Sequence, residues 1–302
     1  MEENWDYLII LDACRYDYFR DMYQNYFYGK LESKLSPGSC TPEWCKKSFP
    51  KRYPHVIYVS GNPYINSKTE VGAFDARKHF CRIIDVWDFG WSSELGTVLP
   101  EKINDTTLRF IKKFPEKRFI VHYLQPHAPY ISSKFRTKGF PTPNIKGKQP
   151  LQGIQGSLGS ETIERFINVI NRAAVYARVR SALIADMTAK LGLVENSWKL
   201  REILNLPPTS PLDTIRRVYG TEGLREAYKE NLRIVLSSVA ELCNKLLRRE
   251  PSRNIVITSD HGEALGEKGI YSHFLNSKNP ILLNVPWLKV TGARVNSTHE
   301  NQ

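Results

Sequence analysis

Asn254-Ile255-Val256-Ile257-Thr258-Ser259-Asp260-His261-Gly262-Glu263 is the stretch whose reading decides the fold. Its β-branched run has the length and composition of a buried strand. The run stops abruptly in Ser, Asp, His and Gly. Adjacent Asp260 and His261 can both reach one cation if the backbone turns, and Gly262 permits such a turn. A helix-capping aspartate beside a surface histidine fits the tripeptide about as well, so the surrounding chain has to decide.

Working outward, two more apolar runs end in the same way. Tyr7–Leu11 delivers Asp12 and is followed by an aromatic-rich, helix-compatible stretch to Tyr28. Phe119–Leu124 runs into Gln125-Pro126-His127-Ala128-Pro129-Tyr130, where the prolines forbid regular structure. In open α/β sheets, ligands bind beyond the carboxyl ends of the strands, so Asp12, His127 and Asp260-His261 are expected to converge on one cleft. Further strands are predicted over Val56–Val59, which stops at the turn cluster Ser60-Gly61-Asn62-Pro63, over Arg82–Val86 and over Ile281–Val285. Helical periodicity marks 105–113, 160–190 and 221–249, the last with Thr221 as its cap. Strands alternating with helices predict a three-layer α/β/α fold with a mostly parallel central sheet. The block at about 140–225 interrupts the alternation and reads as a helical insertion beside the site. The whole chain, 1–302, reads as a single catalytic domain.

Composition bounds the partners. The chain has 302 residues, 41% hydrophobic and 25% charged, and a formal net charge of +12. That balance favours anionic partners, although a basic solvated surface alone would produce it. Lys and Arg are dispersed without a basic arm, which weakens a nucleic-acid reading. Cys14, Cys40, Cys45, Cys81 and Cys243 form no CxxC pair, so reduced thiols and a cytoplasmic location are expected. No secretory leader is read at the N-terminus, and no apolar run is long enough to span a membrane. The oligomeric state is not legible.

The run from Thr258 to His273, with Asp260-His261-Gly262-Glu263 and Gly266-Glu267-Lys268-Gly269-Ile270-Tyr271-Ser272-His273, resembles the C-terminal signature of the sulfatase and phosphoglycerol-transferase branch of the alkaline phosphatase superfamily. His127-Ala128-Pro129-Tyr130 resembles that branch's His-x-Pro-Tyr element, and Leu11-Asp12 its first metal aspartate. Cys40-Thr41-Pro42 sits where the family places a nucleophile before x-Pro. The matches follow the family's order over residues 8 to about 287.

The resemblance implies an enzyme that hydrolyses or transfers a phosphate, phosphodiester or sulfate ester, on a small molecule, a glycan or a lipid headgroup. It implies Asp12, Asp260 and His261 as metal ligands, Cys40 as nucleophile and fourth ligand, and His127 and His273 as contacts of the substrate's anionic group or donors to its leaving oxygen. Thr41 (or Ser39) is the alternative nucleophile. A metal-bound nucleophile is deprotonated near neutral pH, and the cation neutralises charge on the transferring group. Carboxylate with imidazole suits zinc or manganese ahead of calcium or magnesium, which prefer oxygen shells.

Each residue has a plainer reading. Asp12 could cap a helix, His127 could be a loop residue, and His273 could be a second metal ligand. His122 reads as buried and inert, Cys14 as a core residue, and Arg15 and Asp17 as supports of the site. Formylglycine sulfatases carry Cys-x-Pro-x-Arg; here Trp44 takes the arginine's place, which argues against conversion of Cys40 to an aldehyde. Residues 140–259 contain no histidine, and so no upstream Asp-x-x-x-His pair; one metal is expected. The competing function is a non-catalytic relative, a basic module binding anionic glycan, lipid headgroup or nucleic acid, favoured by the surroundings of Cys40.

Overall fold

Tyr7, Ile9 and Leu11 point into one hydrophobic core and Leu8 and Ile10 into another, so the first strand is covered on both faces. The same alternation holds for Phe119 and Val121 against Ile120, and for Ile255 and Ile257 against Val256. Strands buried on both faces read as continuous apolar runs, the signature of a parallel sheet between helices. The structure, a computed structural model, describes residues 3–143, 145, 207–208 and 210–294.

The first half of the chain holds β1 (Tyr7–Asp12), α1 (Tyr16–Met22), β2 (Phe27–Leu35), α2 (Thr41–Ser48), β3 (Tyr53–Ser60) and β4 (Phe80–Asp85). It continues through α3 (Val86–Phe89), the short β5 (Trp91–Ser92) and β6 (Thr97–Val98), α4 (Pro100–Lys113) and β7 (Arg118–Pro126). The second half holds α5 (Pro211–Arg249), β8 (Ile255–Ser259), the short β9 (Ala264–Leu265) and β10 (Tyr271–Ser272), α6 (Pro280–Leu283) and β11 (Asn284–Ala293). The central sheet has seven strands in the order β2-β11-β8-β1-β7-β3-β4. β8, β1, β7, β3 and β4 pair in parallel, while β11 runs antiparallel to both of its neighbours.

One face carries α4 and α5, whose Ile103, Ile111, Leu232, Val235, Leu236 and Val239 join the larger core. The other carries α2, with Trp44 and Cys45 against Phe49, Tyr58 and Phe80. The fold is therefore the three-layer α/β/α arrangement with a mostly parallel sheet. Because β8, β1 and β7 are adjacent and parallel, their carboxyl ends, which bear Asp260, Asp12 and His127, lie side by side.

Several boundaries differ from the sequence reading. The stretch to Tyr28 leaves its helix at Met22, and β2 begins at Phe27 as an edge strand with one exposed side. Ile281–Val285 is not one strand. Asn279 caps a short α6, accepting a hydrogen bond from the Ile281 N–H, and β11 starts only at Asn284. The helix over 221–249 is present; Gly220, with φ 70° and ψ −175°, separates it from an earlier stretch that begins after the Ser210 cap. Most of the insertion expected over 140–225 lies outside the described residues. Among those described, no helix is long and apolar enough to cross a membrane.

Candidate metal centre and active site

β1 and β8 bring Asp12, Asp260 and His261 together: one ligand atom from each lies within 4.8 Å of the others, and all three residues are buried. His261 Nε2 stands 3.7 Å from Asp12 Oδ1 and 3.4 Å from Asp260 Oδ2. Its Nδ1 is 2.8 Å from the Gly262 carbonyl oxygen; donation there leaves the lone pair of Nε2 facing the carboxylates, the arrangement of a ligating histidine. Burial pulls the His261 imidazole down, which favours the neutral form that binds metal. Burial, with Asp260 beside it, pushes the Asp12 carboxyl well above the usual carboxylate range. Among the described residues neither carboxylate pairs with a lysine or arginine. Two buried carboxylates without a counter-charge, facing an imidazole nitrogen, fit a divalent cation.

Gly262 matters for a reason other than turn freedom. A Cβ there would meet the Ile281 carbonyl oxygen at 2.1 Å, and the Gly262 N–H donates to the Leu282 carbonyl at 2.8 Å. The glycine lets α6 close against the loop carrying His261.

Thr41, the first residue of α2, brings its hydroxyl to this cluster. Its Oγ1 donates to Asp260 Oδ2 at 2.7 Å and lies 3.3 Å from His261 Nε2. Cys40 precedes it with extended backbone and is buried, but its sulfur does not belong to the group of converging ligand atoms. The x-Pro spacing is matched, yet the side chain at the cluster comes from the residue after the cysteine. Trp44, at the position of the sulfatase arginine, is a core aromatic packed edge-on against Phe49 at 5.1 Å.

His127 and His273 meet a residue that the sequence reading left without a role. Glu263 lies between them, its Oε1 3.0 Å from His273 Nδ1 and its Oε2 3.9 Å from His127 Nε2. These three form a second group of converging ligand atoms. The Glu263 Oε2 atom is buried without a hydrogen-bond partner, and burial lifts the carboxyl to about 7. Burial pulls both histidines down to about 4. The rings of His261 and His273 are 4.3 Å apart, so the two groups share one cleft.

Three neighbours complete the picture. Asn62, at the end of β3, donates from Nδ2 to Asp12 Oδ2 at 2.6 Å; the Ser60–Pro63 turn held the same strand-end signal as Asp12 and was legible by the same rule. His122 is buried and has its Nδ1 2.8 Å from the Tyr58 hydroxyl, but it is not turned away from the site: its Nε2 faces Asp12 Oδ2 at 3.8 Å. Arg15 pairs with Asp17 and Glu267, each at 2.6 Å, and holds the loop that follows Glu263. Cys14 and Cys243 are core residues, Cys45 is buried as well, and Cys81 is exposed.

Comparisons with family models and with curated protein sequences find no match. Among solved structures the chain is similar to the lipooligosaccharide phosphoethanolamine transferase EptA of Neisseria meningitidis, at 13% identity and a TM-score of 0.48, over 96% of this chain and 48% of that one. It is similar to the C-terminal periplasmic domain of phosphoethanolamine transferase EptC of Campylobacter jejuni, at 14% and 0.49, over 95% and 79%. It is also similar to a putative sulfatase of Bacteroides thetaiotaomicron, at 9% and 0.48, over 96% and 64%. Two of these are phosphoethanolamine transferases by description and the third a putative sulfatase. The chain spans about half the length of the Neisseria protein. At such identities the function has to be argued from the geometry of the site.

One expectation is overturned. The Campylobacter structure is a periplasmic domain, and this points away from the cytoplasmic location read from the cysteines. The physical reason is that four of the five thiols are buried and serve as small apolar residues, so their unpaired state reports packing and not compartment.

Proposed function

We propose that this chain is a metal-dependent enzyme that transfers or hydrolyses a phosphate ester, with Thr41 Oγ1 as the attacking oxygen. The observation that carries the reading is the Thr41 hydroxyl held at 2.7 Å from Asp260 and 3.3 Å from His261. Asp12, Asp260 and His261 would hold the cation, zinc or manganese, with Thr41 beside it. When bound, such a cation lowers the pKa of an adjacent hydroxyl and neutralises charge on the transferring group.

The chain's own residues supply the rest. Asp260 Oδ2 accepts the Thr41 hydroxyl proton and orients the oxygen for attack. Asn62 fixes the Asp12 carboxylate in its rotamer. With a proton on Glu263 directed at its Nδ1, His273 donates from Nε2 toward the oxygens of the transferring group, and the Glu263–His273 pair holds a proton for the leaving oxygen. His127, whose Nδ1–H donates to the Ala128 carbonyl at 2.6 Å, turns Nε2 toward Glu263 as an acceptor. A hydroxyl nucleophile, with Trp44 in the place of the sulfatase arginine, favours phosphate over sulfate. The ester is anionic and belongs to a small molecule, a glycan or a lipid headgroup. A Thr41 hydroxyl beside Asp260 and His261 favours this reading over the basic binding module that the surroundings of Cys40 favoured.

A panel of aryl phosphate monoesters, phosphodiesters and sulfates, assayed with zinc or manganese, tests this. Thr41→Ala should abolish turnover and any covalent mass increase on the protein, while Cys40→Ala keeps both. Turnover surviving in Thr41→Ala and lost in Cys40→Ala would return the role to the thiol.

A further inference from the structure

β1 ends at Asp12, and the next residue is bent in an uncommon way. Ala13 has φ 58°, the left-handed region where an alanine Cβ is crowded and glycine is preferred. The bend aims the Ala13 N–H at Asp260 Oδ1, 3.0 Å away, and the Cys14 N–H at Ser259 Oγ, 2.8 Å away. The backbone of one ligand strand thus orients the carboxylate of the other. A single hydroxyl spans the bend. Tyr228 Oη donates to the Ala13 carbonyl at 2.8 Å and accepts the Arg15 N–H at 2.9 Å. Tyr228 is fully buried on α5. Its ring is fixed by Leu224, Leu265 and Tyr271 in a third core cluster and by an edge-on contact with Tyr18 at 5.2 Å.

We infer that Tyr228 is a positioning residue for the cation site: its hydroxyl holds Ala13 in the left-handed bend, and the Ala13 N–H in turn fixes the rotation of the Asp260 carboxylate. The inference rests on Asp12, Asp260 and His261 being the cation ligands. Without the hydroxyl, the Ala13 carbonyl and the Arg15 N–H lose their shared partner, and relaxation of Ala13 toward negative φ is opposed only by the bonds of the Ala13 and Cys14 N–H groups. Its N–H then swings away from Asp260 Oδ1, leaving the His261 N–H at 2.9 Å and the Thr41 hydroxyl at 2.7 Å to hold a carboxylate whose rotation is less closely fixed. Residues that orient metal ligands commonly change affinity by ten- to hundredfold when removed, about the range expected here.

The test is zinc titration of the full chain by competition with a chromophoric chelator, with metal-free thermal unfolding measured in parallel. Tyr228→Phe keeps the ring and its packing and should weaken zinc binding about tenfold. Ala13→Gly added to Tyr228→Phe should recover most of that loss, because glycine holds φ near 58° without a Cβ penalty. Because glycine also relieves the left-handed strain at position 13, a purely structural tyrosine would be rescued only in metal-free unfolding stability, and recovery of zinc affinity is the readout that marks a positioning role. Unchanged zinc affinity in Tyr228→Phe, or a loss that Ala13→Gly does not restore, overturns the inference. Asp260→Ala separates it from the reading on which it rests. If that variant loses zinc while Tyr228→Phe binds normally, the ligands stand and the positioning role falls. If Asp260→Ala keeps its zinc, both fall.

Discussion

The two walls of the cleft are built differently. On one wall, the Asp12 bend and the His127 loop are fastened to α5 by residues buried in the protein. Tyr228 holds the bend, and Asn231, three residues on, accepts the Ile131 N–H at 2.9 Å and donates to the carbonyls of Pro126, His127 and Pro129. On the other wall, the start of α2 with Thr41 and the loop with His273 are tied to each other near the surface. Glu43 accepts the Ser39 N–H, the Ser39 hydroxyl, the Asn276 N–H and the Lys47 ammonium. The Ser39 hydroxyl shares in the tie, since it also lies 2.6 Å from the Phe274 carbonyl oxygen and accepts the Ser277 N–H. Buried hydrogen bonds open with the whole fold, and exposed ones open locally. The Asp12 bend thus sits on the wall whose ties are buried, and the Glu43 tie on the wall nearer solvent, an arrangement that would suit the proposed site in holding a cation on one side and admitting a substrate on the other.

The sharpest way to break that contrast is Asn231→Ala. It strands one buried N–H and three carbonyls at once, and each unsatisfied buried group costs about 1–3 kcal/mol. Part of the loss is recovered by relaxation, and the net expectation is a destabilisation of roughly 3 kcal/mol in urea unfolding. A change under about 1 kcal/mol would mean that the inner wall is no more rigid than the outer.

Glu43→Gln is the smaller, complementary test, expected to cost about 1 kcal/mol. Burial alone would raise the Glu43 carboxyl, but hydrogen bonds from Lys47, Ser39 and Asn276 outweigh it and pull the pKa from 4.5 to about 2. A folded value below the unfolded one makes the carboxylate stabilising above pH 4.5, with that stability lost as pH falls toward 2. The gap in unfolding free energy between the native chain and Glu43→Gln should therefore narrow across that window. A gap independent of pH would show that the carboxylate charge plays no part in the tie.

The contrast also explains what could be read in advance. Asp12, His127, Asp260 and His261 were legible because apolar strands end abruptly in polar residues, and the alternation of strands and helices implied that those ends adjoin. Asn62 carried the same signal and was read only as a turn. Tyr228 and Asn231 carry no such signal. They are polar residues inside a long helical repeat, and only the packing of α5 across the strand ends shows what they hold. The choice between Cys40 and Thr41 depends on where α2 begins. A shift of one residue at a helix start exchanges which side chain enters the cleft, and sequence spacing does not resolve it. The position of β2 was hidden for another reason: an edge strand with one exposed side lacks the continuous apolar run that marked β1, β7 and β8.

Anomalous scattering at the zinc edge from crystals of the zinc-loaded chain tests the central claim most directly. The predicted result is a peak at bonding distance from Asp12, Asp260 and His261, with Thr41 Oγ1 beside it. A peak found only among His127, Glu263 and His273, or none at the ends of β1 and β8, would contradict it.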